Sequence, residues 1–464
     1  MINSGFVSIA SVVLCILMPW FNLQRQLLVV GIASMCGVYI IGSRNDLVSF
    51  HLYPGPIVAL CFSSIWIIRT VTQKIGKSFD LAGIRYLPAL AVYSLLITCI
   101  SPIIFADRIF VIRPNAVASE IREALPISFT LSSIAQSAYL IVDVILVAAA
   151  ASLVGDKKSG LRFITNIYLK VGLFFSISVI GEVILSKTGY EIHLWDLLMG
   201  ESLGEIRPPS PEVVISTLAF RRAVAVFTES SSYSVFMLGC VGASIIEYRA
   251  NPSPKHTAYL IILVVGIMLA FSTTAVVGLL ITTLVAMISK LTINHQKSTK
   301  LVGTNILTLL GVAVVVGLIA AALLNEDYYE FVIEKIFNNE GYEEGNYSSA
   351  AERGYWNRVS FQAFIDSYGL GCGAGATRAS SFLVSVLSSF GIFGIVAIYF
   401  ILADVVEVLR KTGDVDLIKS ALMWCGWFVG LSIANPDGVS AFYIWIQFGL
   451  IVGVKRVSRI NMGQ

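Results

Sequence analysis

Residues 382–406 read FLVSVLSSFGIFGIVAIYFILADVV. As a helix this stretch is about 37 Å long, enough to cross a hydrocarbon layer of roughly 30 Å. Similar apolar runs recur from one end of the chain to the other, near 4–20, 27–43, 50–69, 86–106, 127–153, 162–185, 231–248, 257–272, 273–289, 301–324, 417–434 and 439–454. The pattern predicts an all-α polytopic membrane protein of about 12–13 transmembrane helices, forming one integral membrane domain over residues 1–464. At 272/273, Phe271-Ser272-Thr273-Thr274 fits either a tight hairpin or the middle of one bent helix.

Composition agrees with this reading. The chain is 56% hydrophobic and only 13% charged, about half the charge fraction of a soluble protein. The first apolar run lacks a basic flank and an Ala-x-Ala cleavage site, so it reads as a retained span. A net charge of +3 gives no sign of a nucleic-acid partner. The seven cysteines include no CxxC pair and the four histidines are scattered, so neither a disulfide framework nor a metal site is expected.

Basic residues orient the spans. Arg69, Lys74, Lys77 and Arg85 fall in one loop, and Lys157, Lys158 and Arg162 in another. Lys290, Lys297 and Lys300 mark a third, Arg410, Lys411 and Lys419 a fourth, and Lys455, Arg456 and Arg459 the tail. With thirteen spans these groups share one side, which the positive-inside tendency makes cytoplasmic. Two long, partly helical loops then face outward, at 186–230 and 325–381. The first holds a proline-rich breaker at Pro208-Pro209-Ser210-Pro211 and a helix-like run from Val213 to Phe227.

These loops carry the outer arginines Arg207, Arg221, Arg222, Arg353, Arg358 and Arg378. Guanidinium forks suit phosphate and pyrophosphate, although any single arginine also fits a solvated loop surface. On a continuous helix over 213–229, Arg222 and Glu229 share a face about 10 Å apart. Arg353 and Trp356 also share a face, while Arg358 is turned about 140° from Arg353. Trp356 fits an interfacial anchor as well as a substrate contact. The series Gly369, Gly371, Gly373 and Gly375 is too glycine-dense for a helix interior. It permits left-handed backbone and close approach of a ligand, or simply a turn. Within the bilayer, Asp143 and Lys170 fall at similar depths on adjacent spans, as a structural ion pair or as working charges of a transporter.

Three stretches resemble the O-antigen ligase/polymerase superfamily of Wzy-type polymerases and WaaL-type ligases. Arg222-Ala-Val-Ala-Val-Phe227-Thr-Glu229-Ser-Ser231 is similar to that family's Arg, then a small residue and Phe, then Glu-Pro-Ser entering a helix. Ala225 stands where glycine is common and Ser230 where proline is. Arg353 through Trp356 to Gly371-Cys372-Gly373 is similar to its Arg…Trp…Gly-x-Gly run. Arg378-Ala-Ser380-Ser381 through Gly391-Ile-Phe-Gly394 resembles the stretch leading into the next span; ligases commonly show His-Asn there, so the polymerase branch is favoured.

The resemblance implies a metal-independent glycosyltransferase without cofactor, in the bacterial inner membrane, with its site facing the periplasm. Its substrates would be undecaprenyl-pyrophosphate-linked oligosaccharides, and its partners a flippase and a chain-length regulator. Arg222 and Arg353 would hold the pyrophosphate, with Arg378, Arg358, Trp356, Gly371 and Gly373 around the substrate. Glu229 would orient or deprotonate the acceptor hydroxyl, or pair with Arg222. The alternatives are ligase-type transfer to an acceptor, and a secondary transporter or lipid flippase working through Asp143 and Lys170.

Overall fold

The computed structural model describes residues 6–36, 41–45, 48–52, 54–73, 84–113, 124–154, 159–187, 212–215, 218–221, 224–227, 229–294, 349–434 and 438–461. Thirteen α-helices dominate the described residues: α1 (Phe6–Leu17), α2 (Leu23–Ala33), α3 (Pro54–Gln73), α4 (Tyr86–Ile104), α5 (Leu131–Val154), α6 (Ser159–Lys187), α7 (Ser230–Ala250), α8 (Pro254–Met268), α9 (Thr273–Asn294), α10 (Ser349–Asp366), α11 (Phe382–Lys411), α12 (Val415–Ala434) and α13 (Phe442–Asn461). Six of them, α3–α6, α11 and α12, are long and apolar enough to cross a membrane. The chain is an all-α, multi-pass membrane protein. The span expected at 301–324 lies outside the described residues.

Three short antiparallel hairpins interrupt the helices: β1 (Ile41–Asn45) with β2 (Val48–Leu52), β3 (Phe110–Val111) with β4 (Leu125–Pro126), and β5 (Glu212–Ile215) with β6 (Leu218–Arg221). Two of these correct sequence expectations. The span expected at 27–43 is an eleven-residue helix, α2, followed by β1. The helix expected over 213–227 is the hairpin β5–β6 followed by a turn. In both places β-branched residues (Ile41 and Val48; Val213-Val214-Ile215) favour extended backbone in segments too short to hold an isolated helix.

α7 is the axis of the bundle and is enclosed on nearly every side. α12 lies against it antiparallel and very close. A Cβ on Gly426 would come within 2.6 Å of the Leu238 carbonyl, and one on Gly239 within 2.6 Å of the Met423 carbonyl. Small residues at such crossings let helix backbones meet where no water drives association. The Trp427 indole donates to the Phe236 carbonyl at 2.9 Å across the same seam.

The ambiguity at 272/273 resolves as a hairpin. α8 runs antiparallel to α7, since the Tyr233 hydroxyl near the start of α7 donates to Gly266 near the end of α8. α9 runs parallel to α7, with Gly278 against Leu238 and the Ala286 carbonyl accepting from Arg249. Two helices of opposite direction flanking α7 cannot be one bent rod. Phe271, at φ 43°, makes the turn between them.

Most ion pairs of the described residues lie at one end of the bundle. There Lys419 meets Glu247 at 2.5 Å, Lys455 meets Asp404 at 2.6 Å and Glu407 at 2.5 Å, and Arg162 meets Asp416 at 2.5 Å. The starts of α7, α11 and α13 and the end of α12 lie at the other end, where α10 packs.

Asp143 and Lys170 do not pair. Asp143 is buried in α5 with neither carboxylate oxygen bonded, and Lys170 is exposed on α6. Tyr139 and Val147, one turn either side of Asp143, face Phe442 and Gly449 of α13. Asp143 therefore lies on the face of α5 that packs against α13, whereas Lys170 is exposed.

Candidate functional site

A break in α11 positions the site. Gly391 sits at φ 58°, ψ −144° and divides the helix. Such a break frees backbone groups inside the membrane, and they must find partners. The run 369–373 supplies them. Cys372 and Gly373 amides donate to the Ser388 and Ser389 carbonyls at 2.7 and 3.0 Å, and the Ile392 amide donates to Gly369 at 2.9 Å.

This contact explains the glycine density. Gly369, Gly371, Gly373 and Gly375 all have positive φ, the left-handed backbone that glycine permits. The backbone that comes close, however, is the protein's own. A Cβ on Gly371 would lie 2.6 Å from the Ser389 carbonyl, and one on Gly373 would lie 2.7 Å from the Thr98 backbone of α4. Thr98 also accepts from the Ala374 amide at 3.0 Å. The glycines thus clamp α10 and the following loop onto the kinked α11.

The clamp brings polar side chains of α10 over the start of α7. Arg353 Nη2 lies 3.3 Å from Glu229 Oε2, and both side chains are partly exposed. Glu229 is the residue preceding α7, in extended conformation, and it also accepts from Ser231 Oγ at 3.0 Å. One turn along α10, the Arg378 guanidinium stacks 3.9 Å above the ring of the buried Trp356. Stacking of this kind fixes the plane of a guanidinium, whose planar fork suits bidentate contacts.

Arg378 is held by its backbone as well. Its amide donates to the Ile112 carbonyl at 2.7 Å, and its carbonyl accepts from Ser360 at 2.9 Å. Asn357 Oδ1 accepts from the Ser380 amide at 2.8 Å, and Ser381 donates to the Ser432 carbonyl at 2.6 Å, tying the entry of α11 to the end of α12. Asn357 and Ser360 escaped the sequence reading. The only available signal was their spacing, Asn357 four residues after Arg353 and Ser360 four after Trp356 on one helix.

Arg222 lies outside the described residues. The continuous helix expected over 213–229 does not form, because β6 runs to Arg221 and Ala225 adopts φ 45°. Arg358 is exposed, on the side of α10 away from Arg353. The structure therefore unites Glu229, Arg353, Trp356 and Arg378 and leaves Arg358 apart.

No protein-family model matches the chain, and no curated protein matches it. The chemistry rests on the geometry alone. A carboxylate and two guanidinium groups, one braced by an aromatic ring, are gathered at the end of the bundle opposite the charge-rich end. That arrangement can hold a phosphorylated group and orient a hydroxyl.

Proposed function

We propose that this protein is a Wzy-type polysaccharide polymerase, joining oligosaccharide repeats carried on undecaprenyl pyrophosphate at the periplasmic face of the bacterial inner membrane. The observation that carries the reading is the meeting of Arg353 with Glu229 beside the Arg378–Trp356 stack. All three sequence stretches that resemble the polymerase and ligase family contribute to this one cluster. The basic residues at the far end of the bundle support an outward-facing site.

Two departures from the family pattern also support it. Ala225, where glycine is common, has φ 45°, a conformation that favours glycine. Ser230, where proline is common, is the first residue of α7, and Glu229 before it has the extended φ −136°, ψ 153° that proline requires of its predecessor. The backbone here has the shape that the family's residues would impose.

In the proposed reaction, an acceptor sugar hydroxyl attacks the anomeric carbon of the growing chain. A carbon–oxygen bond forms to the acceptor as the bond to pyrophosphate breaks. The hydroxyl proton passes to a carboxylate or through water, and undecaprenyl pyrophosphate departs with the bonding electron pair. Arg353 and Arg378 would stabilise the charge growing on the pyrophosphate. Glu229, held by Arg353 and Ser231, would orient the acceptor.

The test is to replace Arg222 and Arg353 singly by alanine in the native host, at matched membrane level, and to resolve surface glycan by size. Collapse of a long-chain ladder to one repeat is expected. Loss of all attachment, with polymer still on its lipid carrier, would indicate a ligase. An unchanged ladder would overturn both readings.

A further inference from the structure

The side of α10 turned away from the candidate site has an unusual composition. Arg358, Phe361, Gln362 and Ile365 are exposed there, within an arc of about 100°. Tyr368 and Leu370, exposed just past the helix, extend the surface. A helix whose outer face met only water would not gather aromatic and aliphatic groups on it.

This face joins surface that is already lipid-facing. The Tyr93 hydroxyl of α4 donates to the Leu370 carbonyl at 2.6 Å, and its ring lies 4.4 Å from Phe393 of α11. The Gly369 carbonyl accepts from Ile392. Ile392, Phe393 and Ile103 are exposed apolar residues of two helices long enough to cross the membrane. The exposed apolar surface of α4 and α11 therefore meets the chain just past α10, at Gly369 and Leu370, shortly beyond the exposed Ile365 and Tyr368.

We infer that α10 is seated in the plane of the bilayer interface, with Phe361, Ile365 and Tyr368 in the lipid and Arg358 and Arg108 among anionic headgroups. The occupant of this face is the bilayer. Arg108 stacks 4.3 Å above the Tyr368 ring and hydrogen-bonds its hydroxyl, so cation and aromatic sit together at the level where headgroups begin. Arg358 shares the face with Phe361 and Ile365, which accounts for its separation from Arg353. The seat stands independently of the reaction proposed above. If that reading also holds, the seat puts Arg353 at headgroup depth, where the pyrophosphate of a membrane-borne donor lies.

The test uses the full chain with photoreactive p-benzoylphenylalanine in place of Phe361 or Tyr368, in vesicles of phosphatidylglycerol and phosphatidylethanolamine. Irradiation is expected to raise the intact mass by one phospholipid at both positions, and at Ile365 if either variant misfolds. The probe at the fully buried Phe236 should give no lipid adduct. Crosslinks from 361 and 368 only to protein, whether another segment of this chain or a second copy, would overturn the seat, as would unmodified protein at both. Arg108→Gln with Arg358→Gln should lower the phosphatidylglycerol share of the adducts, and an unchanged share would remove the headgroup contact. Neither readout depends on glycan synthesis, so failure of the seat and failure of the polymerase reading are distinguishable.

Discussion

Arg353 and Glu229 are 124 positions apart in the chain and meet at 3.3 Å, joining α10 to the start of α7. The contact is longer than a well-formed charge-assisted hydrogen bond and is partly open to solvent. Such a pair contributes about 1 kcal/mol or less to stability. Arg353→Ala should therefore lower the thermal midpoint in detergent little, while reducing chain extension on the order of 100-fold or more, as expected for a group that stabilises developing charge. Arg353→Lys should recover only part of the activity, because the planar fork is lost. Equal losses of stability and activity would reduce the pair to a structural link.

Ala225 and Ser230 offer the opposite kind of test. Ala225→Gly should relieve left-handed strain and raise stability by about 1 kcal/mol. Ser230→Pro should add roughly 0.5 kcal/mol, since the preceding residue is already extended and proline suits the first helical position. Thermal midpoints of the two variants and their combination would check this. Destabilisation by either would mean the turn before α7 has a different backbone.

The clamp between the glycine run and α11 should be intolerant. A Cβ on Gly391 would lie 2.0 Å from the Gly369 carbonyl at φ 58°, and that neighbour is backbone. Gly391→Ala should cost more than about 3 kcal/mol, and Gly371→Ala a similar amount, by strain and overpacking together. Gly181→Ala, which meets nothing within 4 Å, should change stability by about 1 kcal/mol or less. Yield of monodisperse protein and thermal midpoint would separate the two classes.

At the charge-rich end, the Lys419 ammonium is almost fully enclosed between Glu247 and Asn166. Removing one partner strands a buried charge, so Lys419→Ala should cost about 3–5 kcal/mol. Lys419→Met with Glu247→Leu should be far milder than Lys419→Ala alone. A double-mutant cycle by thermal unfolding would measure the coupling.

Asp143 makes no hydrogen bond from either oxygen among the described residues. Asp143→Asn should leave stability within about 1 kcal/mol of the parent and leave glycan length unchanged. Loss of function without loss of fold would revive the transporter reading.

Some of this was legible in the residues and some was not. The apolar runs at 86–106, 162–185 and 417–434 became α4, α6 and α12 because nothing else can hide a continuous backbone in hydrocarbon. The run at 27–43 failed because hydropathy records burial and is blind to whether a β-branched segment continues a helix or turns into a hairpin. Positive φ at the four glycines was among the conformations that their density permits. What they approach was not legible, because the kink at Gly391 is set by contact with a segment twenty residues away.

The sequence by itself determined the solvent: charge so sparse and apolar runs so long admit only a helical membrane protein. It also selected Arg222, Arg353 and Glu229, with Arg378, Arg358, Trp356, Gly371 and Gly373 around them, as chemically capable groups. Only the tertiary structure decided which of them meet. Helix-face arithmetic relates residues a few turns apart, whereas Arg353 reaches Glu229 and Arg378 reaches Trp356 through the packing of α10 on a broken α11. Local periodicity carries no record of that contact.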